Sequence, residues 1–152
     1  MIHKDKPVIM GILRHTPEFK PSEVIVAQEL IDCYLNDPLN SGYYILVAEA
    51  DSALMGYVCY GPTPLTEGTW DIYWAAVASD KRRLGIGNAL FEAAEKIIRA
   101  SQGRLAIIET SSTPEYAATR DFHAHNGYET IACIPDFYAP GDDKLILQKR
   151  MR

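Results

Sequence analysis

The part of this chain best suited to chemistry is the run Val77-Ala78-Ser79-Asp80-Lys81-Arg82-Arg83-Leu84-Gly85-Ile86-Gly87-Asn88. An apolar strand enters a short basic loop, and two glycines then open a long amphipathic stretch. Helix N-termini present unpaired N–H groups and a partial positive charge, so they hold phosphates well. Glycine lets the backbone approach a bulky anion because no Cβ intervenes. Arg82 and Arg83 add charge at the same mouth. A P-loop needs Lys and then Ser or Thr after its last glycine, but Gly87 is followed by Asn88. A dinucleotide fingerprint needs a third small residue where this chain has Leu90. Neither pattern fits.

Two carboxylates stand where a proton could be moved. Asp71 interrupts the aromatic strand Trp70-Asp71-Ile72-Tyr73-Trp74, and alternation places it on one face with Tyr73 and Ala75. Glu109 ends the apolar run Ala106-Ile107-Ile108. His123 and His125 are two apart on an expected helix and point different ways, so no metal site is expected. Tyr116, Arg120 and His123 fall on one helical face by spacing.

These residues need a scaffold. With 152 residues, 47% hydrophobic and 23% charged, the chain suits a single domain spanning 1–152. A strand is expected at Pro7–Arg14, a helix at Pro21–Leu35, and strands at Tyr43–Ala50, Leu54–Tyr60 and Trp70–Val77. A helix over 86–100, with Ile86, Ala89, Leu90, Ala93, Ile97 and Ala100 as its apolar stripe, follows the glycines. Then come a strand at 105–108, a helix from Pro114 to about His125, and strands near 129–135 and 144–149. This order implies an α/β or α+β sheet with helices on its faces. The net charge of −5 argues against a nucleic-acid partner. No apolar run is long enough to span a membrane, and none follows the charged N-terminus as in a signal peptide. Three isolated cysteines, Cys33, Cys59 and Cys133, are expected to be buried thiols in a reducing, cytoplasmic setting.

Arg82-Arg83-Leu84-Gly85-Ile86-Gly87 resembles the acyl-CoA-binding motif of the GCN5-related N-acetyltransferase (GNAT) family, Gln/Arg-x-x-Gly-x-Gly/Ala. The segment from Phe122 to Tyr128 resembles that family's Phe-Tyr-x-x-x-Gly-Phe signature, and the order of elements matches from Tyr43 onward. The resemblance implies the acyl-CoA N-acyltransferase fold: a mixed, mainly antiparallel sheet split between two central strands and flanked by helices. Acetyl-CoA would be the co-substrate, with no metal. Its pyrophosphate would lie at Arg82 and on the N–H groups of Arg83, Leu84, Gly85, Ile86, Gly87, Asn88 and Ala89. Its pantetheine arm would pair with the strand end at Ala76 and Val77, where an N–H would serve the thioester oxygen. Tyr116 stands where many members have asparagine.

The implied reaction is acetyl transfer to a primary amine by direct attack in a ternary complex. An amine with a pKa of about 10 must lose a proton first. Asp71 and Glu109 both occupy places where family members carry a glutamate, and either or both could be the base. The family's acid is a tyrosine at the place of His123, so His123, Tyr116 or Tyr138 is left for that role, unless no side chain is needed. The segment from Asp136 to Asp143, with Tyr43, Tyr60, Pro62 and Tyr73, would line the acceptor pocket. A small-molecule amine is the expected partner. A peptide or protein N-terminus is the runner-up. A catalytically idle acyl-CoA-binding module and an interaction domain without CoA are the rivals from other classes. The resemblance also allows a homodimer.

Overall fold

The protein, seen here as a computed structural model, is described over all 152 residues. Its elements are α1 (Lys6–Arg14), α2 (Pro21–Asn36), β1 (Tyr44–Ala50), β2 (Ala53–Pro62), β3 (Thr69–Val77), α3 (Ile86–Ala100), β4 (Leu105–Ser111), α4 (Ala117–His125), β5 (Glu129–Ala139) and β6 (Asp142–Arg150). Six strands form one sheet in the order β1-β2-β3-β4-β6-β5. Only β3 and β4 run parallel. The expected mixed, mainly antiparallel sheet with flanking helices is what the chain forms.

The first element corrects the sequence reading, because Pro7–Arg14 is helix and not strand. The buried residues are Ile9, Met10, Ile12 and Leu13. That is a helical spacing, since a strand would bury alternate residues. Pro7 sits in the first turn, where its missing N–H costs nothing. The segment from Asp136 to Asp143, expected as a loop, is mostly strand: β5 runs on to Ala139 and turns at Pro140-Gly141 into β6.

Two apolar clusters cover the two faces. On one, α3 packs Ile86, Leu90, Phe91, Ala94 and Ile98 against Val58, Trp70, Ile72, Ala106, Ile108 and Leu147. The stripe is rotated from the one expected: Ala89, Ala93 and Ala100 are exposed, and the larger Phe91 and Ile98 take the core side. On the other face, α1 and α2 pack against Ile45, Tyr57, Cys59 and Ala76 of β1–β3. No residue of β4, β5 or β6 joins that second cluster.

The central strands stay together only briefly. Thr69, Trp70 and Asp71 pair with Leu105, Ala106 and Ile107, and beyond them the ladder stops. The rest of β3 turns a free backbone edge toward a split.

Candidate active site

The loop expected to hold the phosphates grows out of the end of β3. After Val77 a short 3-10 turn covers Ser79–Lys81, and the backbone then turns left-handed at Arg83 (φ 65°) and Gly85 (φ 77°). Glycine is the residue that adopts this region without a steric penalty. A Cβ at Gly85 would meet no atom within 4 Å, so the space beside it is open. Gly87 serves a different purpose, because a Cβ there would lie 3.1 Å from the Phe122 ring. It permits α3 and α4 to approach closely.

The N–H groups of Arg83 through Asn88 donate to no backbone carbonyl. The first engaged donor is Ala89, 3.0 Å from the Gly85 carbonyl. The cradle therefore ends at Asn88, and the expected contribution of the Ala89 N–H is corrected because that group closes the first helical turn. Adjacent free donors on left-handed turns, at the positive end of a 15-residue helix, form a concave anion site. Asn88 receives a bond from Asn126 Nδ2 at 3.0 Å, which ties the start of α3 to the end of α4. Leu84 is exposed.

The two expected bases lie on one face. Asp71 alternates with the buried Trp70 and Ile72 and so points away from α3. Glu109 alternates with the buried Ile108 and does the same. Asp71 pairs with Ile107 in the sheet, and Glu109 lies two residues further along β4. Asp71 is thus the last residue before β3 and β4 part, at the apex of the split. Thr63 Oγ1 donates to its Oδ2 at 2.6 Å. Glu109 is half exposed and ion-paired to Lys144, whose Nζ also lies 4.3 Å from the Phe137 ring centroid.

The face shared by Asp71, Tyr73 and Ala75 does not survive. The register between β2 and β3 shifts at Cys59/Tyr60, so Tyr73 is an extra residue with no partner in β2. This bulge inverts the alternation after it, and Ala75 packs on the α3 side. Tyr73 packs edge-on against Tyr43 at 5.4 Å. Burial, followed by the nearby Asp71 carboxylate, pushes its hydroxyl up to about 12. Sequence alternation missed the bulge, since no glycine or proline in β3 marks it.

The remaining expected residues are dispersed. His123 is buried among Phe91, Phe122 and Tyr128, with ring centroids at 5.5, 5.5 and 6.1 Å. Its Nδ1 has no partner, and burial lowers its pKa to about 4. It is neutral at pH 7, so protonation by a cationic His123 is disfavoured. Tyr116 lies in a 3-10 turn before α4, and its hydroxyl donates to Glu23 Oε1 at 2.9 Å. Burial and that carboxylate together push the Tyr116 hydroxyl well up. Arg120 donates to the carbonyls of Ser111 and Thr113 at 2.9 and 2.8 Å. The face drawn for Tyr116, Arg120 and His123 is therefore not a working group. Tyr60 is fully buried, so it presents no surface to an acceptor, which corrects its place in the acceptor list.

Two residues that sequence reasoning passed over reach the mouth of the split. Glu18 accepts a forked bond from Arg82, with both N···O distances at 3.1 Å. Glu23 accepts from Tyr116 and, at 2.7 Å, from the Lys20 N–H. No local pattern signals the reach of Glu23 to Tyr116, 93 residues away in sequence.

The Acetyltransferase (GNAT) family profile matches residues 11–128. The chain belongs to the GNAT family. A GNAT-family structure from Desulfovibrio desulfuricans superposes with a TM-score of 0.95 at 39% identity, covering 99% of this chain and 94% of that one. Two more distant structures share the fold. One is an aminoglycoside 6′-N-acetyltransferase solved with coenzyme A (TM-score 0.73, 19% identity, 97% and 91% covered). The other is the ribosomal-protein-S18-alanine N-acetyltransferase of Escherichia coli (TM-score 0.76, 16% identity, 98% and 89% covered). A comparison with curated proteins finds no match. This GNAT protein is an N-acetyltransferase, and its family uses acetyl-CoA. No group of three or more His, Cys, Asp or Glu is arranged to hold a metal ion, and no helix is long and apolar enough to cross a membrane.

Proposed function

We propose that this chain transfers acetyl from acetyl-CoA to a primary amine of a small molecule, with the amine attacking directly while both substrates are bound. The observation that carries this reading is the position of Asp71, a carboxylate at the apex of the split and on the same sheet face as Glu109. The residues fit the co-substrate. Free N–H groups from Arg83 to Asn88 suit a pyrophosphate, Arg83 adds charge with no carboxylate holding it, and the open β3 edge at Ala76 and Val77 suits an extended amide arm. Acetyl-CoA supplies an activated thioester; the chain must orient it and manage the protons.

Asp71 is the base, acting through water because aspartate is one methylene shorter than the family's glutamate. Its partner is a neutral hydroxyl, so taking up a proton breaks no ion pair. Glu109 would have to leave Lys144 to do so, and it serves instead to hold the acceptor's charge at the mouth. A free N–H at the strand end, near Ala76 and Val77, stabilises the developing oxyanion, an effect worth about 3–4 kcal/mol in comparable sites. His123, neutral and packed against Phe122, shapes the wall; as a neutral tautomer it remains, with the exposed Tyr138, a donor for the thiolate. No cysteine stands in the split, which fits direct transfer.

The test is thiol release from acetyl-CoA against amino acids, polyamines, aminoglycosides and short peptides, with coenzyme A binding measured calorimetrically in the same preparations. Acceptor-dependent release is expected with a small amine. Asp71→Asn should lower kcat/KM by roughly 10²–10⁴-fold, as loss of a general base does, and Glu109→Gln by about tenfold through KM. Turnover with peptides alone would replace the acceptor class. An unchanged rate in Asp71→Asn would remove Asp71 as base.

A further inference from the structure

Arg82 and Tyr116 both lie in segments that the family resemblance gives to the cofactor, yet both side chains are turned to the same other element. Arg82 follows β3, on one lip of the split, and grips Glu18 with both guanidinium nitrogens. Tyr116 follows β4, on the other lip, and donates to Glu23. Glu18 and Glu23 belong to the junction between α1 and α2, 64 and 93 residues away in sequence from their respective partners. That junction is itself taut. The Phe19 N–H bonds to the Thr16 carbonyl at 3.1 Å, and the Lys20 N–H to Glu23 at 2.7 Å. Phe19 stands edge-on to Trp74, at 5.3 Å, just past the β3 bulge.

The Glu18 side chain is only 14% exposed. Burial alone would raise its carboxyl, but the Arg82 guanidinium and a backbone hydrogen bond together outweigh that and hold it below the usual carboxylate range. A forked, charge-assisted contact fixes orientation as well as distance, which a single lysine contact would not do. Arg83, one residue on, has no such partner and is exposed. The two arginines of the motif are therefore unequal.

We infer that the segment from Glu18 to Glu23 is a strap across the mouth of the split, and that Arg82 and Tyr116 are its anchors, positioning residues for the acceptor side and not ligands of the cofactor. The inference rests on the reading of the split as the catalytic cleft. Arg83 alone supplies side-chain charge to the phosphates. The strap holds Phe19 on Trp74 and sets the acceptor's approach to Asp71.

The experiment compares Arg82→Gln, Glu18→Gln, Tyr116→Phe, Arg82→Lys and the exchanged pair Glu18→Arg with Arg82→Glu. Two readouts are used: coenzyme A affinity by calorimetry at about 0.3 M salt, where exposed charges are screened beyond a few ångströms, and hydrogen exchange of amides 15–24. Exchange should quicken at least about fivefold in Arg82→Gln, Glu18→Gln and Tyr116→Phe, with no further increase when Arg82→Gln and Glu18→Gln are combined. The exchanged pair should restore protection and Arg82→Lys should restore part of it. Coenzyme A affinity should stay within about twofold throughout, while Arg83→Gln weakens it at least about fivefold. A tenfold loss of affinity in Arg82→Gln or Tyr116→Phe, or unchanged exchange in Glu18→Gln, overturns the strap. Failure of the parent protein to bind coenzyme A would instead overturn the reading of the cleft.

Discussion

The two halves of the sheet are built to different standards. β1, β2 and β3 are covered on both faces, by α3 on one side and by α1 with α2 on the other. β4 and β6 are covered by the α3-side cluster alone, while β5 joins neither cluster and is exposed at every residue. The fully covered half carries the glycine loop and the free β3 edge, to which the proposed function assigns the long, flexible co-substrate. The thinly covered half carries Glu109, Lys144 and the β5–β6 hairpin, where the proposed function places the acceptor.

If that contrast is right, the seam between the halves should bear most energy. Glu95 of α3 is buried, its side chain 5% exposed, and it holds Arg99 at 2.9 Å, Lys149 of β6 at 2.7 and 2.8 Å, and the Tyr128 hydroxyl at 3.1 Å. Truncating one member of a buried charge network strands the others. Glu95→Ala should therefore cost about 3–5 kcal/mol, the largest effect expected here, read as a fall in denaturant midpoint. A loss below about 1 kcal/mol would mean that β6 is held by its ladders alone.

The next effect lies just beside the seam. The unfolded chain takes up a proton at His123 near its ordinary pKa of 6.5, but the folded chain only near 4. The unfolded state thus binds more protons between those values, so stability falls as pH drops from about 6.5 to about 4 and levels below that. At about 1.4 kcal/mol per unit, the full span is worth roughly 3 kcal/mol. Urea melts at intervals from pH 7 to 4.5 should show this slope, and His123→Phe should remove its share. An identical slope in the variant would mean that the imidazole is solvated and free to titrate.

Much of this was legible in the sequence, for definite reasons. The glycine loop and the helix after it could be read because a basic turn, two glycines and an amphipathic stretch each leave a compositional mark, and they coincide at Arg82–Asn88. The mixed sheet with its split followed from the family resemblance, while the order of strands within it did not. α1 was misread because its apolar run is short, and Val8 and Gly11 mask the helical spacing of Ile9, Met10, Ile12 and Leu13. The bulge at Tyr73 was invisible because it is set by pairing with β2, a non-local contact. The contacts of Glu18 and Glu23 were invisible for the same reason. Local pattern reports the glycine loop and α3 well, and reports poorly the features set by non-local pairing and long-range polar ties.

The smallest expected effect is the sharpest check on the contrast. Ile134 in β5 is 41% exposed and opposes Lys144, whereas Ile31 in α2 is fully buried. Ile31→Ala should cost about 2–5 kcal/mol through lost burial and a residual cavity. Ile134→Thr should change stability by less than about 0.5 kcal/mol, which for a chain of this length is under about 2 °C in Tm. β5 also limits its own reach as an open edge: Pro135 lacks an N–H, and the register breaks between Ile134 and Ala139. An edge so interrupted should stay unpaired, so the Tm of Ile134→Thr should not depend on protein concentration. A loss of several degrees that grows on dilution would show that a second copy covers β5 in solution, and the thin half would then be thin only in the single chain.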